Sequence, residues 1–557
     1  MRLSIALVLI LLALTSGALA QSDDNTINVS LRNPTSLDPV SISRFDNHTR
    51  DVVENVFAGL TRINARTGQV EPMLAESWSI SADGLVWTFA LRDDIMWTRY
   101  NAERAAFEAV RPVVAGDVVF AVQRACDTTR PSPVTANLYL IVGCRTLSTQ
   151  NSLQRLPLDT VAVRAIDDTT LEITLLEPAG YFLTITSQPE MRPLPAEFVD
   201  DTLGNWIRPG ASVTSGPWAI ERWVAGAQMR LVRNPFWPDD FEGNVEAVNI
   251  RFDVPVDAIS SELATGGYDL ARLEPIIIQT GQLADAELAR SSAANPLTVL
   301  GFSYNAVDLE GTPLPGPLDV PEVRRALALA LDRDVLAQAV FGTNAAASAH
   351  FTPRTAMGGP SSPGASSDPA AAQRNLNQAG YADCNALGVL PLGVSDDPSE
   401  FLLAQNIVLQ WQNNLGCSAE AFPIVQTTAA AILDSAHNTV DVAEGSRFPL
   451  WIITWSADYP DAQSWVADAL HCRYGYLRVG RTCDRIDTLM DQAGVSTDIT
   501  ARFTTYNQIE TDLFGSLGTF PVVPLTIGQS WWAQQPWLND VPSWGPMQFD
   551  RWTIERP

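Results

Sequence analysis

The 557-residue sequence contains no lysine, so all 36 of its basic residues are arginine. A P-loop needs its lysine, and Schiff-base or pyridoxal-phosphate chemistry needs an amine. Those mechanisms are therefore excluded. Any ATP hydrolysis coupled to this chain must take place on another subunit.

Histidine is also scarce, and the four histidines (His48, His350, His437 and His471) form no H-x-x-x-H pair. The cysteines show no C-x-x-C spacing, and the chain has no G-x-S-x-G or H-E-x-x-H motif. We therefore expect no metal, no cofactor and no enzymatic activity. A secreted acidic hydrolase that uses two carboxylates is a remote alternative, since Asp, Glu and Trp are abundant.

Positive charge is in the minority, with 63 acidic residues against 36 arginines and a formal net charge of -27. Such a chain repels the phosphates of nucleic acid and gains little from anionic lipid. The hydrophobic fraction of 46% is that of a globular protein. The length is too great for one core, so two or three domains are expected.

The sequence has one long apolar run, from Ile5 to Leu14, behind the positive charge of Arg2. Small residues follow at Ala18-Leu19-Ala20. This pattern predicts a secretion signal over residues 1–20 and a mature chain that begins at Gln21. The run is shorter than the roughly 20 residues needed to span a bilayer. We expect an exported protein, periplasmic or extracellular, that is not lipid-anchored through an N-terminal cysteine, because no cysteine lies near the cleavage site.

An even number of cysteines in an exported chain predicts disulfides. Many connectivities are possible for six thiols, and sequence proximity favours three local pairs: Cys126–Cys144, Cys384–Cys417 and Cys472–Cys483.

Apolar spacing predicts several local structures. Val53, Val56, Phe57 and Leu60 have the spacing of one helix face. Alternating apolar residues on both sides of Asp83-Gly84 predict a β-hairpin. A helix is predicted from Pro321, and its apolar stripe consists of Val323, Ala326, Leu327, Ala330, Leu331 and Val335.

A series of short motifs follows in fixed order along the N-terminal hundred residues: Leu37-Asp38-Pro39, Phe57-Ala58-Gly59-Leu60, Glu71-Pro72-Met73-Leu74-Ala75-Glu76-Ser77-Trp78, the segment 83–92, and Trp97. In this order they resemble the N-terminal part of the family 5 extracellular solute-binding proteins, the receptors of peptide ABC importers. The resemblance extends to the C-terminus and is interrupted by an insertion at residues 98–111.

The resemblance implies an α/β fold of the type II periplasmic-binding-protein kind, with two lobes of mixed sheets around a hinge and an extra subdomain in the N-terminal lobe. The expected division is residues 21–60 for the first part of lobe 1, 61–200 for the extra subdomain, 201–290 for the second part of lobe 1, 291–500 for lobe 2 and 501–557 for a C-terminal return to lobe 1.

The implied function is a monomeric receptor that captures peptides in the cleft between its lobes. It would close around a hinge and deliver the peptide to the permease and ATPase subunits of an ABC importer. The same fold binding an oligosaccharide or another solute is the alternative.

The run Leu450-Trp451-Ile452-Ile453-Thr454-Trp455 predicts a buried parallel strand. A polar loop follows it, and ligands of open α/β sheets bind at the carboxyl ends of such strands. The family shares the Trp-x-Ala-Asp-Tyr motif of this loop, whose aspartate commonly pairs with a peptide's α-ammonium. The resemblance thus implies that Asp458 binds the amine, with capping of a turn or helix as the alternative.

Main-chain groups of Thr454 to Ser456 are predicted to pair with an extended peptide. By resemblance, the cavity wall is expected to include Trp218, Phe302, Tyr304, Trp455, Tyr459 and Trp465, with core packing as the alternative for each aromatic residue. Several oligopeptide receptors carry an arginine six residues before the aspartate, where this chain has Ile452. That difference argues against short peptides clamped at both ends, and Arg447 is a nearby substitute.

Overall fold

The computed structural model describes residues 25–43, 46–129, 132–150, 156–199, 206–283, 285–307, 313–437, 447–477 and 479–556. The predicted secretion signal over residues 1–20 lies outside them. The strands are β1 (Thr26–Leu31), β2 (Thr61–Ile63), β3 (Val70–Pro72), β4 (Ala75–Ile80), β5 (Val86–Leu91), β6 (Met96–Asn101), β7 (Ala106–Pro112), β8 (Val163–Ala165), β9 (Thr170–Thr174), β10 (Val213–Thr214), β11 (Trp218–Val224), β12 (Gln228–Arg233), β13 (Ala247–Phe252), β14 (Leu270–Leu273), β15 (Ala289–Phe302), β16 (Ala306–Val307), β17 (Pro313–Leu314), β18 (Ala345–Ala347), β19 (Leu392–Val394), β20 (Ile424–Gln426), β21 (Leu450–Trp455), β22 (Val522–Gln534), β23 (Leu538–Asn539) and β24 (Thr553–Ile554).

The α-helices are α1 (Asn47–Val56), α2 (Ala115–Cys126), α3 (Cys144–Ser148), α4 (Phe182–Thr186), α5 (Val256–Ala264), α6 (Pro275–Gln279), α7 (Pro321–Leu329), α8 (Arg333–Val340), α9 (Pro369–Gln378), α10 (Pro398–Leu415), α11 (Ala429–His437), α12 (Asp468–Leu470), α13 (Arg485–Val495) and α14 (Ile499–Phe514). Within the described part of the chain, none of the helices combines the length and the apolar composition that a bilayer crossing demands.

A mixed sheet runs through the whole molecule in the order β11-β12-β13-β1-β14-β22-β15-β21-β19-β20, and β18 adds to β22. Strands β15 and β22 are antiparallel to each other and are the longest strands, with 14 and 13 residues. Their register shifts between Ala294 and Leu297. On one side of this shift, residues 289–294 pair with 528–533, and on the other side residues 297–301 pair with 522–527.

Two large hydrophobic cores lie on opposite sides of this register shift. The first consists of buried residues between Ile27 and Leu270 and between Trp532 and Ile554, together with Tyr459 from the far side of the shift. The second consists of buried residues between Leu297 and Ile527. A smaller core lies beside β14, around Leu263 and Tyr268. We call residues 25–294 with 528–556 lobe 1, residues 297–527 lobe 2, and residues 61–199 within lobe 1 the subdomain.

The lobe boundary near the C-terminus differs from the expected one. The sequence predicted a return to lobe 1 at residue 501, but the apolar face of α14 and the start of β22 are buried in the second core, with Tyr506, Leu513 and Val523 fully covered. The chain returns to lobe 1 only after residue 527, because the first half of β22 pairs with the lobe 2 half of β15.

The subdomain contains the predicted hairpin, formed by β4 and β5, in the sheet β4-β5-β9-β8. The insertion at residues 98–111 forms a second hairpin, since β6 and β7 pair antiparallel from Met96 to Pro112, and Tyr100 meets Phe107 edge to face.

Two predicted helices are shorter than their apolar spacing indicates. Helix α1 ends at Val56, because Phe57 is extended, so Leu60 is buried outside the helix. The helix from Pro321 ends at Leu329, and α8 begins afresh after Asp332, whose carboxylate accepts a hydrogen bond from the Val335 N–H at 3.0 Å. Val335 is therefore 53% exposed and does not belong to the predicted apolar stripe.

Three disulfides join Cys126 to Cys144, Cys384 to Cys417 and Cys472 to Cys483. This is the pairing of sequence neighbours that the sequence favoured. The first disulfide lies in the subdomain and the other two lie in lobe 2, so none of the three crosses between the lobes.

Candidate functional site

A cavity of about 390 Å³ lies where the sheet passes from lobe 1 to lobe 2. From lobe 1 it is lined chiefly by Asn47, Arg50, Asp51 and Glu54 of α1, by Ser187 to Pro189 and Arg192, by Leu270 and Arg272 of β14, by Ser530 and Trp532 of β22, and by residues 541–547. From lobe 2 it is lined by Pro353, Thr355, Ala356, residues 457–460 and Trp465. Ser292, Ala293 and Ala294 of β15 lie between the two sides.

The lobe 2 wall is a loop that leaves the end of β21, as predicted for the run 450–455. That strand is parallel to β19 and antiparallel to β15, so the predicted parallel pairing is present on one side only. The loop is held by Asp461, which is fully buried, forms an ion pair with Arg502 and accepts a hydrogen bond from the Gln463 N–H at 2.9 Å.

Asp458 lies in this loop, is half-buried and lines the cavity, which is the position the sequence predicted for it. Its N–H donates to the Ser464 hydroxyl at 2.9 Å, and its carbonyl accepts from the Asn137 amide at 3.4 Å. The capping of the following turn is performed by Asp461. The binding of an amine by the Asp458 carboxylate remains a prediction.

Tyr459 also lines the cavity, and its hydroxyl donates to Asp468 at 2.8 Å. Burial, together with the charge of Asp468, raises the pKa of Tyr459 well above its ordinary value. Asp468 is half-buried, and the desolvation of its carboxyl raises its pKa to about 6 despite the hydrogen bonds from Tyr459 and Gln463. Burial therefore keeps Tyr459 a neutral phenol that donates to Asp468.

The other predicted ligand residues lie outside the cavity lining. Thr454 is exposed and Ser456 is half-buried, and neither lines the cavity. Trp455 packs against Tyr476, with ring centroids 5.6 Å apart. Trp465, which the resemblance also suggested, does line the cavity.

Three aromatic residues expected at the cavity wall lie in the hydrophobic cores instead. Trp218 is fully buried against Phe241 and Phe549, because β11 starts in the first core. Phe302 is fully buried in the second core, and Tyr304 lies there under the guanidinium of Arg324, 4.0 Å from its ring centroid. These three residues therefore take the alternative role that the sequence left open, which is packing in the hydrophobic cores.

Glu54 of the lobe 1 wall belongs to an ion-pair network that the sequence did not single out. Arg62 donates to Glu54 at 3.1 Å and to both oxygens of Asp550 at 2.7 and 2.6 Å, and Arg192 bonds Glu54 and the carbonyl of Phe57. Burial alone lowers the pKa of Arg62, but the charges of Asp550 and Glu54 raise it above its ordinary value. This network fixes one face of α1 to the first core.

Arg272 and Asp51 form a second pair on this wall, with Nε and a carboxylate oxygen 2.7 Å apart. The pair joins β14 to α1. Asp51 also accepts from the Met547 N–H at 2.9 Å, which fixes the segment 541–547 at the rim. None of these pairs can be read from sequence spacing, since the partners lie more than 200 residues apart.

A family model described as bacterial extracellular solute-binding proteins, family 5 Middle, matches residues 69–476. The chain belongs to this family. Among curated relatives, the periplasmic oligopeptide-binding protein OppA of Escherichia coli K12 is 27% identical over 448 residues, which are 77% of this chain and 74% of OppA. The probable deoxycholate-binding periplasmic protein YgiS of the same organism is 24% identical over 93% of this chain and 90% of its own.

The fold is shared with the unliganded open form of MppA, a periplasmic murein tripeptide binding protein. The TM-score is 0.79 at 22% identity, and the alignment covers 96% of this chain and 98% of MppA. The type II periplasmic-binding-protein fold predicted from the sequence is confirmed. The cavity described above lies between the two lobes of this fold.

Proposed function

We propose that this protein is the extracytoplasmic receptor of an ABC importer and captures peptides in the cavity between its lobes. The observation that carries the proposal is the composition of that cavity, whose two sides come from different lobes and each present charged groups. Arg50 and the Arg272–Asp51 pair stand on one side and Asp458 on the other. A peptide supplies opposite charges at its ends and apolar surface between them.

Binding and closure follow from this arrangement. A ligand that contacts both walls stabilises the conformation in which the walls are close, so it shifts the population towards the closed state. The α-ammonium of the peptide meets Asp458, and a charge-assisted hydrogen bond of this kind contributes about 1.5–3 kcal/mol. The closed receptor then presents the peptide to the permease, and the ATPase subunits supply the energy.

The domain division is part of the proposal. Residues 21–60, 201–294 and 528–557 belong to lobe 1, residues 61–200 form the extra subdomain, and lobe 2 extends from residue 297 to residue 527. The protein acts outside the cytoplasm after removal of residues 1–20, as a monomer and without chemistry of its own. Support comes from the family, whose members are extracellular solute-binding proteins, and from the periplasmic relatives OppA and YgiS.

A second candidate ligand is an amphipathic carboxylate that is not a peptide. YgiS, whose name refers to deoxycholate, aligns with 93% of this chain. The cavity also has apolar surface from Trp465, Trp532 and Trp544, which suits a rigid apolar body.

Native mass spectrometry of protein purified from its own host distinguishes the two. We expect a ladder of bound masses that denaturation resolves into peptides of related length. A single released species with the mass of a bile acid would replace the peptide assignment. Calorimetric titration of the emptied protein with each released compound then gives its affinity.

A further inference from the structure

Three arginines line the lobe 1 side of the cavity, and two of them have a carboxylate partner. Arg192 is paired with Glu54, and Arg272 with Asp51. Arg50 is half-buried, and its Nη2 donates to the side-chain oxygen of Gln188 at 2.8 Å. Within the described ranges of the chain, no carboxylate forms an ion pair with Arg50.

Gln188 holds this guanidinium in place. Its amide nitrogen donates to the Thr184 carbonyl at 3.1 Å and to the Ser187 hydroxyl at 3.0 Å, so its oxygen is directed towards Arg50. A neutral acceptor satisfies one of the five N–H groups of a guanidinium and leaves its charge uncompensated. Arg50 is thus positioned without being neutralised.

Glu190 also feels the charge of Arg50, which lowers the pKa of this carboxyl, but its hydrogen bond is made elsewhere. Glu190 is buried and accepts from the Asn137 amide at 2.7 Å. Burial has the larger effect and raises the pKa of Glu190, which favours its neutral form. Glu190 therefore offers little compensation to Arg50.

We propose that Arg50 binds the carboxylate of the ligand, so that the receptor selects solutes with an anionic group at the lobe 1 end of the cavity. This inference rests on the proposed function and names the group that its ligand must carry. A guanidinium matches a carboxylate with two parallel hydrogen bonds. Asp458, on the opposite lobe, receives the other end of a zwitterionic peptide.

The arrangement accounts for a difference noted in the sequence. Position 452, where several oligopeptide receptors carry an arginine, is Ile452, which is 1% exposed in the second core. Arg447, the substitute suggested by the sequence, is not among the residues that line the cavity. Arg50 supplies the cation from lobe 1 instead, so the ligand runs across the cleft from one lobe to the other.

The test compares alanine peptides of three to six residues as free acids with their C-terminal amides, by calorimetric titration of the emptied protein. The variants are Arg50→Gln, Arg50→Lys, which keeps a charge without the planar fork, and Arg222→Gln as a control with an exposed arginine on β11. We expect the wild type and Arg222→Gln to prefer the acid at least tenfold. Arg50→Gln should lose this preference and retain the affinity for the amide, and Arg50→Lys should lie between them.

An acid preference that Arg50→Gln leaves unchanged would overturn the assignment, as would an equal loss of affinity for acid and amide. Titration with deoxycholate separates failure of the proposed function from failure of this inference. If the wild type binds deoxycholate and neither peptide form, the peptide assignment is refuted. The role of Arg50 then stands if Arg50→Gln weakens deoxycholate binding tenfold, and it is refuted as well if the variant binds deoxycholate with unchanged affinity.

Discussion

Tyr181 of the subdomain and Tyr459 of lobe 2 stack with ring centroids 5.5 Å apart and planes 9° from parallel. The stack joins the loop that carries Asp458 to the opposite lobe. Two further contacts accompany it, since the Gly180 N–H donates to the Gly494 carbonyl at 2.7 Å and the Thr184 hydroxyl donates to Asp461 at 3.4 Å. The position of the ligand loop therefore depends on the subdomain as well as on lobe 2.

Loss of this stack should loosen the ligand loop. We expect Tyr181→Ala to lower the free energy of unfolding by about 2 kcal/mol, because a stacked pair contributes about 0.5–1.5 kcal/mol beyond the apolar area that it buries. Peptide affinity should fall as well. Tyr181→Phe keeps the ring and should behave like the wild type in urea unfolding and in calorimetric titration. Equal losses in the two variants would show that the hydroxyl, and not the ring, makes the contact.

The predicted amine contact of Asp458 can be removed from either side. Asp458→Ala should weaken peptide binding at least tenfold, which corresponds to about 1.4 kcal/mol. Acetylation of the peptide's N-terminus should produce the same loss in the wild type and no further loss in the variant. Asp434→Ala, on an exposed position of α11, is the control for a change in net charge. Unchanged affinity of Asp458→Ala would exclude the contact.

Asp468 should make the stability depend on pH. The desolvation of its carboxyl raises its pKa to about 6, with a further contribution from Asp461 that Arg502 opposes. The folded protein therefore holds this proton more tightly than the unfolded chain, whose Asp pKa is about 3.9. The contribution of Asp468 to the free energy of unfolding therefore falls as pH rises from about 4 to about 6, and it stays constant above about pH 6.

Asp468→Asn removes that titration and leaves a side chain that can still hydrogen-bond Tyr459. The variant should gain stability relative to the wild type as pH rises through this window, by up to about 3 kcal/mol. Urea unfolding of both proteins at about pH 4, 5, 6 and 7 measures the difference in their free energies of unfolding. Parallel stability curves for the two proteins would contradict the assignment.

The disulfides give a separate prediction. The denatured, unreduced protein should show no reactive thiol in a thiol titration, because all six cysteines are paired. Reduction should lower the melting temperature, since each loop of this size stabilises the fold by about 3 kcal/mol in the chain-entropy model. Peptide affinity measured well below the melting temperature should change little, because no disulfide joins the lobes. A large loss of affinity on reduction would show that one of them shapes the cavity.

The sequence predicted the features that depend on local spacing or on a shared motif. The hairpin around Asp83-Gly84 follows from alternation, and the place of Asp458 follows from the strand before it. The helix stripe after Pro321 was predicted too long because periodicity does not register an N-cap such as Asp332, which starts a new helix four residues after the previous one ends.

The lobe 1 wall was not predictable from the sequence for a different reason. Its charged groups acquire their roles from partners far away in the chain, as in the pair of Arg272 and Asp51, which are 221 positions apart. Spacing on α1 shows that Arg50 and Glu54 share a helix face. Which of them is neutralised depends on Gln188 and Arg192, and only the folded chain shows those contacts.

Strands β15 and β22 change register beside Ala294, and Ser292 to Ala294 also line the cavity. Points close to an axis of rotation move little, whereas points far from it sweep through a large arc. If the lobes rotate about this register shift, Ser292 to Ala294 keep their position during closure. The opposite walls, which carry Arg50 and Asp458, then move towards each other. Binding then has two stages. A solute first contacts the pre-formed surface of Ser292 to Ala294, and its charged ends contact Arg50 and Asp458 only when the lobes close.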